Sequence, residues 1–293
     1  MDVLSKKIDF AVIFKVKNAN PNGDPLGENM PRTDNDDLGE VTDVCIKRKI
    51  RNRLLDLGEE ILVQSNDYKK DGYSSIKERL ENINDLKKKG KEKCEYDVEK
   101  VCEKFFDVRA FGQVIAWDNC SIGIRGPVTI QSAFSAEQVE IVGKQITKSV
   151  NNEDGNKKGS DTMGMKYCVK YGVYVFKGAM NPQLAEKTKF SDEDAEKIKS
   201  VLPKLFDNDA SSARPEGSME VLEVVWWEHS SKSGQYSSAE VHRSLEVVNN
   251  EKIILKKLEG LHTERWNLEN KEYKEYVVTK EKEEIDISKY KRG

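Results

Sequence analysis

The chain has 293 residues, 37% hydrophobic and 34% charged, which is enough apolar material for one large domain beneath a heavily charged surface. A formal net charge of −3 gives no overall reason to attract polyanions, so any polyanion site must be a local concentration of cations. No stretch approaches the roughly 18 apolar residues of a membrane span. The first ten residues hold no apolar signal-peptide core, and the five cysteines and three histidines lack disulfide or metal-ligand spacing. A cytoplasmic protein with no membrane partner, no metal and no cofactor is expected.

Ile8–Val16 places Ile8, Phe10, Val12, Phe14 and Val16 on one side of a strand. A loop of turn residues follows, from Asn18 through Pro25 (NANPNGDP) to Asn29–Thr33 (NMPRT). Thr42 or Asp43 then caps a helix that ends before Gly58. Ile46, Ile50, Leu54 and Leu57 form its apolar stripe, and Lys47–Arg53 (KRKIRNR) puts five cations in seven residues. Asp43, Lys47 and Arg51 define a second face, flanked by Arg48, Lys49 and Arg53. Residues 66–104 are rich in Lys, Glu, Asp and Asn and read as an exposed insertion, with a helix near Val98–Phe106.

Ser121–Phe134 is strand-like, Gly126-Pro127 marking a bulge or an edge. Val139–Val150 reads as one arm of a hairpin, Asn151–Gly164 as a loop, and Met165–Phe176 as a strong strand. Its aromatics, in KYGVYVF, are read as core. Ser191 opens a helix through Phe206 whose acidic start suits the helix dipole. Met219–Trp227 is the last core strand, with one ring of Trp226-Trp227 toward the core and the other toward a neighbouring surface. The remainder holds short patterned pieces and a Lys/Glu-rich tail.

In order these elements read strand, helix, strand, strand, helix, strand. That is an α+β, ferredoxin-like (RRM-like) βαββαβ fold within a single domain, 1–293, a superfold that hosts many activities. Two excursions interrupt it, at 59–108 and 135–166, and 250–293 is expected to be a charged tail.

NPNGDP, MPRTD and Val41–Asn52 (VTDVCIKRKIRN) resemble the N-terminal signature of the type I-C (Dvulg) CRISPR Cascade backbone subunit, a Cas-seven family member of the RAMP superfamily. The likeness continues through RAFGQ (109–113), SIGIRGPVTIQS (121–132), MGM (163–165) and VVWWEH (224–229), to about residue 250. It implies a ferredoxin-like palm, with fingers after the first helix and a thumb around 139–165. It also implies that copies of the chain polymerise along one CRISPR RNA, beside other Cascade subunits, and present guide bases for pairing with target DNA. No catalytic residue is implied.

A guide that must pair is best held by phosphates and sugars, leaving base edges free. The candidate RNA contacts are Asn18, Asn20, Asn22 and Arg32 in the loop, Thr42 at the helix cap, and Lys47, Arg48, Lys49 and Arg51 on the helix. Arg109 and Gln113 are candidates for RNA, for a neighbouring subunit, or for a structural salt bridge. In the thumb, Lys157 and Lys158 would hold the strand, and Met163 and Met165 would wedge between bases. The principal rival is an RNA-cleaving, type III-like subunit using Asp34, Asp36 or Asp37 with a divalent metal. A processing endonuclease would need His229, His242 or His262 as a base, and none lies in a motif that positions one.

Overall fold

The computed structural model describes residues 2–82, 97–117, 120–147 and 163–291. Its centre is the strand Ile8–Ala19, hydrogen-bonded along one edge to Met163–Met180 and along the other to Met219–Glu228, antiparallel in both cases. Across the sheet the order is Tyr273–Glu275, His262–Asn267, Met219–Glu228, Ile8–Ala19, Met163–Met180, Ala133–Gln138 and Leu38–Val41. Val128–Ile130 pairs with the far end of Met163–Met180, and Ile141–Thr147 with its near end. The whole is a mixed α+β architecture with one large antiparallel sheet.

Phe10, Val12, Phe14 and Val16 point to the face covered by the helices Asp43–Asp56 and Asp192–Val201, where Ile46, Ile50, Leu54, Ala195 and Ile198 complete the core. Thr42 caps the first helix and accepts a hydrogen bond from the Cys45 amide. Ser191 caps the second in a reciprocal box with Asp194. The opposite face of the central strand, Ala11 and Ile13, is equally buried. Val241, Leu245, Ile253, Leu255 and Leu261 cover it.

That second layer corrects two expectations. Segment 250–293 is not a tail: Lys252–Lys256 and Lys282–Asp286 join Leu245–Val248 in a three-stranded sheet whose inward residues seal the large sheet. The Trp pair does alternate across the sheet, but both rings are inside. Trp226 stacks on Phe10 at 5.7 Å, and Trp227 lies in the second core, 2% exposed. With both faces occupied, the sheet offers no open platform for bases.

Residues 66–104 are expected to be exposed, yet the described part of the insertion 59–108 has a small core of its own. Leu62, Leu80, Val101, Cys102, Phe105 and Val108 pack with Ile115 and Ile124 of the hairpin Gly112–Trp117/Cys120–Arg125. Polar ties fix it as well. The Asp107 carboxylate accepts from the Leu62 and Val63 amides, at 2.8 and 3.1 Å, and Arg79 is held by Asp71 and the Leu62 carbonyl.

Under the sheet's other end, Asp9 is fully buried between His229, at 2.8 Å, and His242, at 3.3 Å, with the Lys7 ammonium at 3.5 Å. The Gln235 amide donates to His229 Nδ1, which leaves Nε2–H to face Asp9. Burial by itself would raise the Asp9 carboxyl, but hydrogen bonds from His229, His242 and Ser238 hold it below the usual carboxylate range.

Two measurements check this account. Trp227→Ala should cost about 3–5 kcal/mol in urea unfolding, because it empties the second core rather than trimming a surface. A depressed carboxylate contributes stability that is present above its unfolded value and lost as pH falls through its folded one. Wild-type stability should therefore drop on acidification below about pH 4, and Asp9→Asn should lose less over the same interval.

Candidate nucleic-acid interface

The turn-rich segment after the central strand is an ordered structure. Gly23–Asp24 pairs with Met30–Pro31, Thr33 bridges Gly39, and Leu38–Val41 joins the large sheet beside Ala133–Gln138. Asn18, Glu28, Asn29 and Asp37 take positive φ, which suits asparagine and aspartate. Asn22 ties this segment to the basic helix: its Oδ1 accepts from the Thr42 amide at 3.0 Å and the Thr42 hydroxyl at 2.9 Å. The Asn20 amide donates to the Asn29 carbonyl at 2.6 Å, and Arg32 meets Asp24 at 3.2 Å.

Two polar atoms here have no hydrogen-bond partner among the described residues although they are buried, Asn20 Oδ1 and Arg32 Nε. Orphaned polar groups of this kind are uncommon and costly. They lie in one loop, next to the N-terminus of a 14-residue helix.

The helix divides its cations. Lys49 is buried on Asp209 and sits 5.4 Å above the Phe206 ring. Burial pushes its ammonium pKa down, with Asp209 opposing. Arg51 donates through Nε to Asp107 at 2.9 Å and lies over Phe111, and Arg53 is held by Asp56 and the Tyr68 hydroxyl. Lys47 pairs one turn back with Asp43 and stays partly exposed. Arg48 is partly exposed and has no hydrogen bond or ion pair among the described residues, although its charge acts on Asp67. Lys49 and Arg51, expected from the sequence to contact phosphates, are both committed here to internal carboxylates.

For Arg109 the structure shows the third of the expected roles, a structural salt bridge. Its guanidinium grips Asp194 at 3.0 and 2.8 Å and lies over Phe106, joining the insertion to the helix Asp192–Val201. Gln113 sits on the hairpin Gly112–Trp117, its amide on the neighbouring Val114 carbonyl. Asp34 accepts from the Asp36 and Leu38 amides, a turn-forming use, while Asp36 and Asp37 are exposed. No group of three or more metal-ligating side chains occurs among the described residues.

Opposite the loop stands the hairpin formed by Ile141–Thr147 and the first part of Met163–Met180, with Met163 paired to Thr147 and Val169 to Ile141. Lys157 and Lys158 lie outside the described residues. Met165 is half exposed, and Tyr167 donates to Glu28 at 3.2 Å, which joins the hairpin to the turn-rich loop. Lys144 and Lys166 stand directly opposite each other across the hairpin, with no carboxylate partner among the described residues.

Comparison with known proteins decides the family. The family model described as CRISPR-associated protein Cas7 matches residues 6–277. The chain belongs to the CRISPR-associated Cas7 family. A Haloferax volcanii protein named CRISPR-associated protein Cas7 is 28% identical over 231 residues, covering 68% of this chain and 64% of the relative's length. Two solved chains share less sequence. One, from a CRISPR RNA-guided surveillance complex in a pre-nicking state, is 14% identical with a TM-score of 0.48 over 75% of this chain and 78% of that one. The other, from a CRISPR RNA-guided surveillance complex, is 15% identical with a TM-score of 0.42 over 75% and 68%.

For this Cas7 chain the structure thus brings together Asn18, Asn20, Asn22, Arg32, Thr42, Lys47 and Arg48, and the hairpin that carries Met165 is tied to the same loop through Tyr167 and Glu28. Tyr167, Lys144 and Lys166 were not singled out from the sequence. Their signal is the placing of one lysine in each of two neighbouring predicted strands, Lys144 two residues before Ile146 and Lys166 next to Tyr167. Arg51→Ala, which strands a buried carboxylate, should cost about 3–5 kcal/mol in chemical unfolding. Arg48→Ala should stay within about 0.5 kcal/mol. Equal effects would refute the division of the helix into an internal and an external set.

Proposed function

We propose that this Cas7 chain is the RNA-binding backbone subunit of a type I-C CRISPR surveillance complex, acting in the cytoplasm by positioning rather than by catalysis. The observation that carries this reading is the loop 18–42. Its orphaned Asn20 Oδ1 and Arg32 Nε adjoin a helix whose outward cations, Lys47 and Arg48, remain beside its N-terminus. A phosphate oxygen would accept from Arg32 Nε, a sugar 2′-hydroxyl would donate to Asn20 Oδ1, and the cations would neutralise the strand. Such contacts carry no base information, so guides of any sequence would be held alike.

The strand order Met219–Glu228, Ile8–Ala19, Met163–Met180, Ala133–Gln138, with a helix in each crossover, supports a ferredoxin-like palm. The insertion 59–108 then takes the place of fingers and 135–166 that of a thumb. Met165 on the hairpin, with Met163 beside Thr147, is suited to wedge between bases. Copies of the chain would repeat along one guide, with other Cascade subunits, and the exposed bases would pair with target DNA. The relatives named for surveillance complexes are consistent with this assembly.

The test is guide RNA binding by the purified chain as a function of salt, with RNA integrity followed in Mg²⁺. Replacing Arg32, Lys47 and Arg48 by Ala should weaken binding to unrelated guide sequences equally. It should also flatten the salt slope by about 2, since each single-strand phosphate contact contributes about 0.7. A sequence-selective loss, or metal-dependent cuts at regular intervals, would overturn the reading.

A further inference from the structure

At the end of the sheet remote from the loop, a cavity of about 400 Å³ opens between the hairpin Gly112–Trp117/Cys120–Arg125, the helix Pro182–Thr188 and the loop before the helix Ser238–Arg243. Three cations line it, Lys7, Arg125 and Lys232, together with Thr129, Asn181 and Ser233. Among the described residues no carboxylate and no aromatic ring lines it, in a chain with 52 acidic residues.

The cations are held in place. Lys7 exchanges backbone hydrogen bonds with the 229–231 segment, and its ammonium donates to the Tyr236 carbonyl at 2.8 Å. Gly234, at φ +80°, lets the loop close over it, since a Cβ there would lie 2.7 Å from the Lys7 side chain. Arg125 ends a strand pinned by backbone contact. A Cβ on the adjacent Gly126 would meet the Ala110 carbonyl oxygen at 2.3 Å. The Arg125 guanidinium is exposed and has no hydrogen bond or ion pair among the described residues. Lys232 is paired only at the rim, with Glu186 at 2.7 Å, both more than half exposed, which makes the pair weak and easily exchanged.

The geometry points to a second nucleic-acid contact at Lys7, Arg125 and Lys232, which takes the phosphodiester backbone of a strand other than the guide. Clustered cations with neutral donors suit a phosphate: Arg125 is uncommitted, Lys232 is shared only with the rim carboxylate Glu186, and Lys7 is shared with the buried Asp9 at 3.5 Å. Without an aromatic ring the cavity has nothing on which a base could stack, so it favours backbone over a free nucleotide. Separation argues for a different strand. Eleven steps along one extended strand, from Val169 beside the loop to Met180 beside the cavity, span about 36 Å.

The test uses the full chain loaded with guide RNA and a fluorescein-labelled, non-complementary single-stranded DNA of about 20 nucleotides, read by anisotropy over a salt series. The variant with Arg125→Glu and Lys232→Glu should bind the DNA at least about tenfold more weakly and lose about 1.4 of salt slope, two contacts at 0.7 each, while retaining the guide. Glu186→Gln, which releases Lys232, should tighten binding two- to threefold, a gain that misfolding cannot imitate. Unchanged DNA binding in both variants would overturn the proposal. So would release of the guide by the charge-reversed variant. If inorganic phosphate raises the melting temperature of the wild type alone while DNA binding is unaffected, the cavity is a small-anion site and the nucleic-acid assignment fails. Should the chain take up no guide, the same comparison with DNA alone still reads this cavity, so this inference and the proposed function fail separately.

Discussion

The arrangement of the molecule depends on how one helix disposes of its positive charge. Asp43–Asp56 carries five cations in seven residues, and such a helix could not pack on an apolar core unless the inward ones were neutralised. Lys49, Arg51 and Arg53 are matched by Asp209, Asp107 and Asp56. Taking an ion out of water costs several kcal/mol, so each buried partner is obligatory rather than ornamental. Two of those partners lie far away in the chain, and the pairs therefore lock the helix to the insertion on one side and to the segment after Asp192–Val201 on the other. The result is a helix that cannot rotate about its axis. Lys47 and Arg48 are left outward, beside a loop tethered to the helix through Asn22 and Thr42.

A second constraint follows from the C-terminal layer. Covering the far face of the sheet with Leu245, Ile253, Leu255 and Leu261 makes the central strand apolar on both sides and removes the surface on which an RRM-type sheet would stack bases. The surfaces left for the proposed recognition are the two ends of the sheet, where loops and a hairpin project beyond the packed layers. Those are also the places where cations remain exposed, a division of labour common where a rigid scaffold carries functional loops.

What could be read from the chain divides along the same line. Apolar periods are local, so the central strand, the Ile46–Ile50–Leu54 stripe and the capped helix at Ser191 were all visible. The partners of charged residues are not local: nothing near Lys49 in sequence points to Asp209, and nothing near Arg109 points to Asp194. A helical wheel therefore turned inward-facing cations into an apparent binding face. Segment 250–293 failed for a different reason. Its Ile253, Leu255 and Ile287 follow strand alternation, but lysines and glutamates between them gave the composition of a tail. Trp226-Trp227 was placed correctly on two faces, and only the remote layer over the second face was missing.

Net charge and binding are reconciled by the same pairing. In a chain of charge −3, long-range attraction for a polyanion is weak, and screening beyond about 8 Å at physiological salt weakens it further. Local geometry must then do what bulk charge cannot. Lys144 and Lys166 illustrate it: like charges directly opposite across a hairpin destabilise that hairpin, and among the described residues no carboxylate relieves them. Closely spaced cations kept away from acids create a field that a single phosphate feels within one contact distance, while the acidic surface elsewhere repels strands that miss it. Under the proposed function, a protein built this way would discriminate by where a backbone lies and not by how much charge it carries.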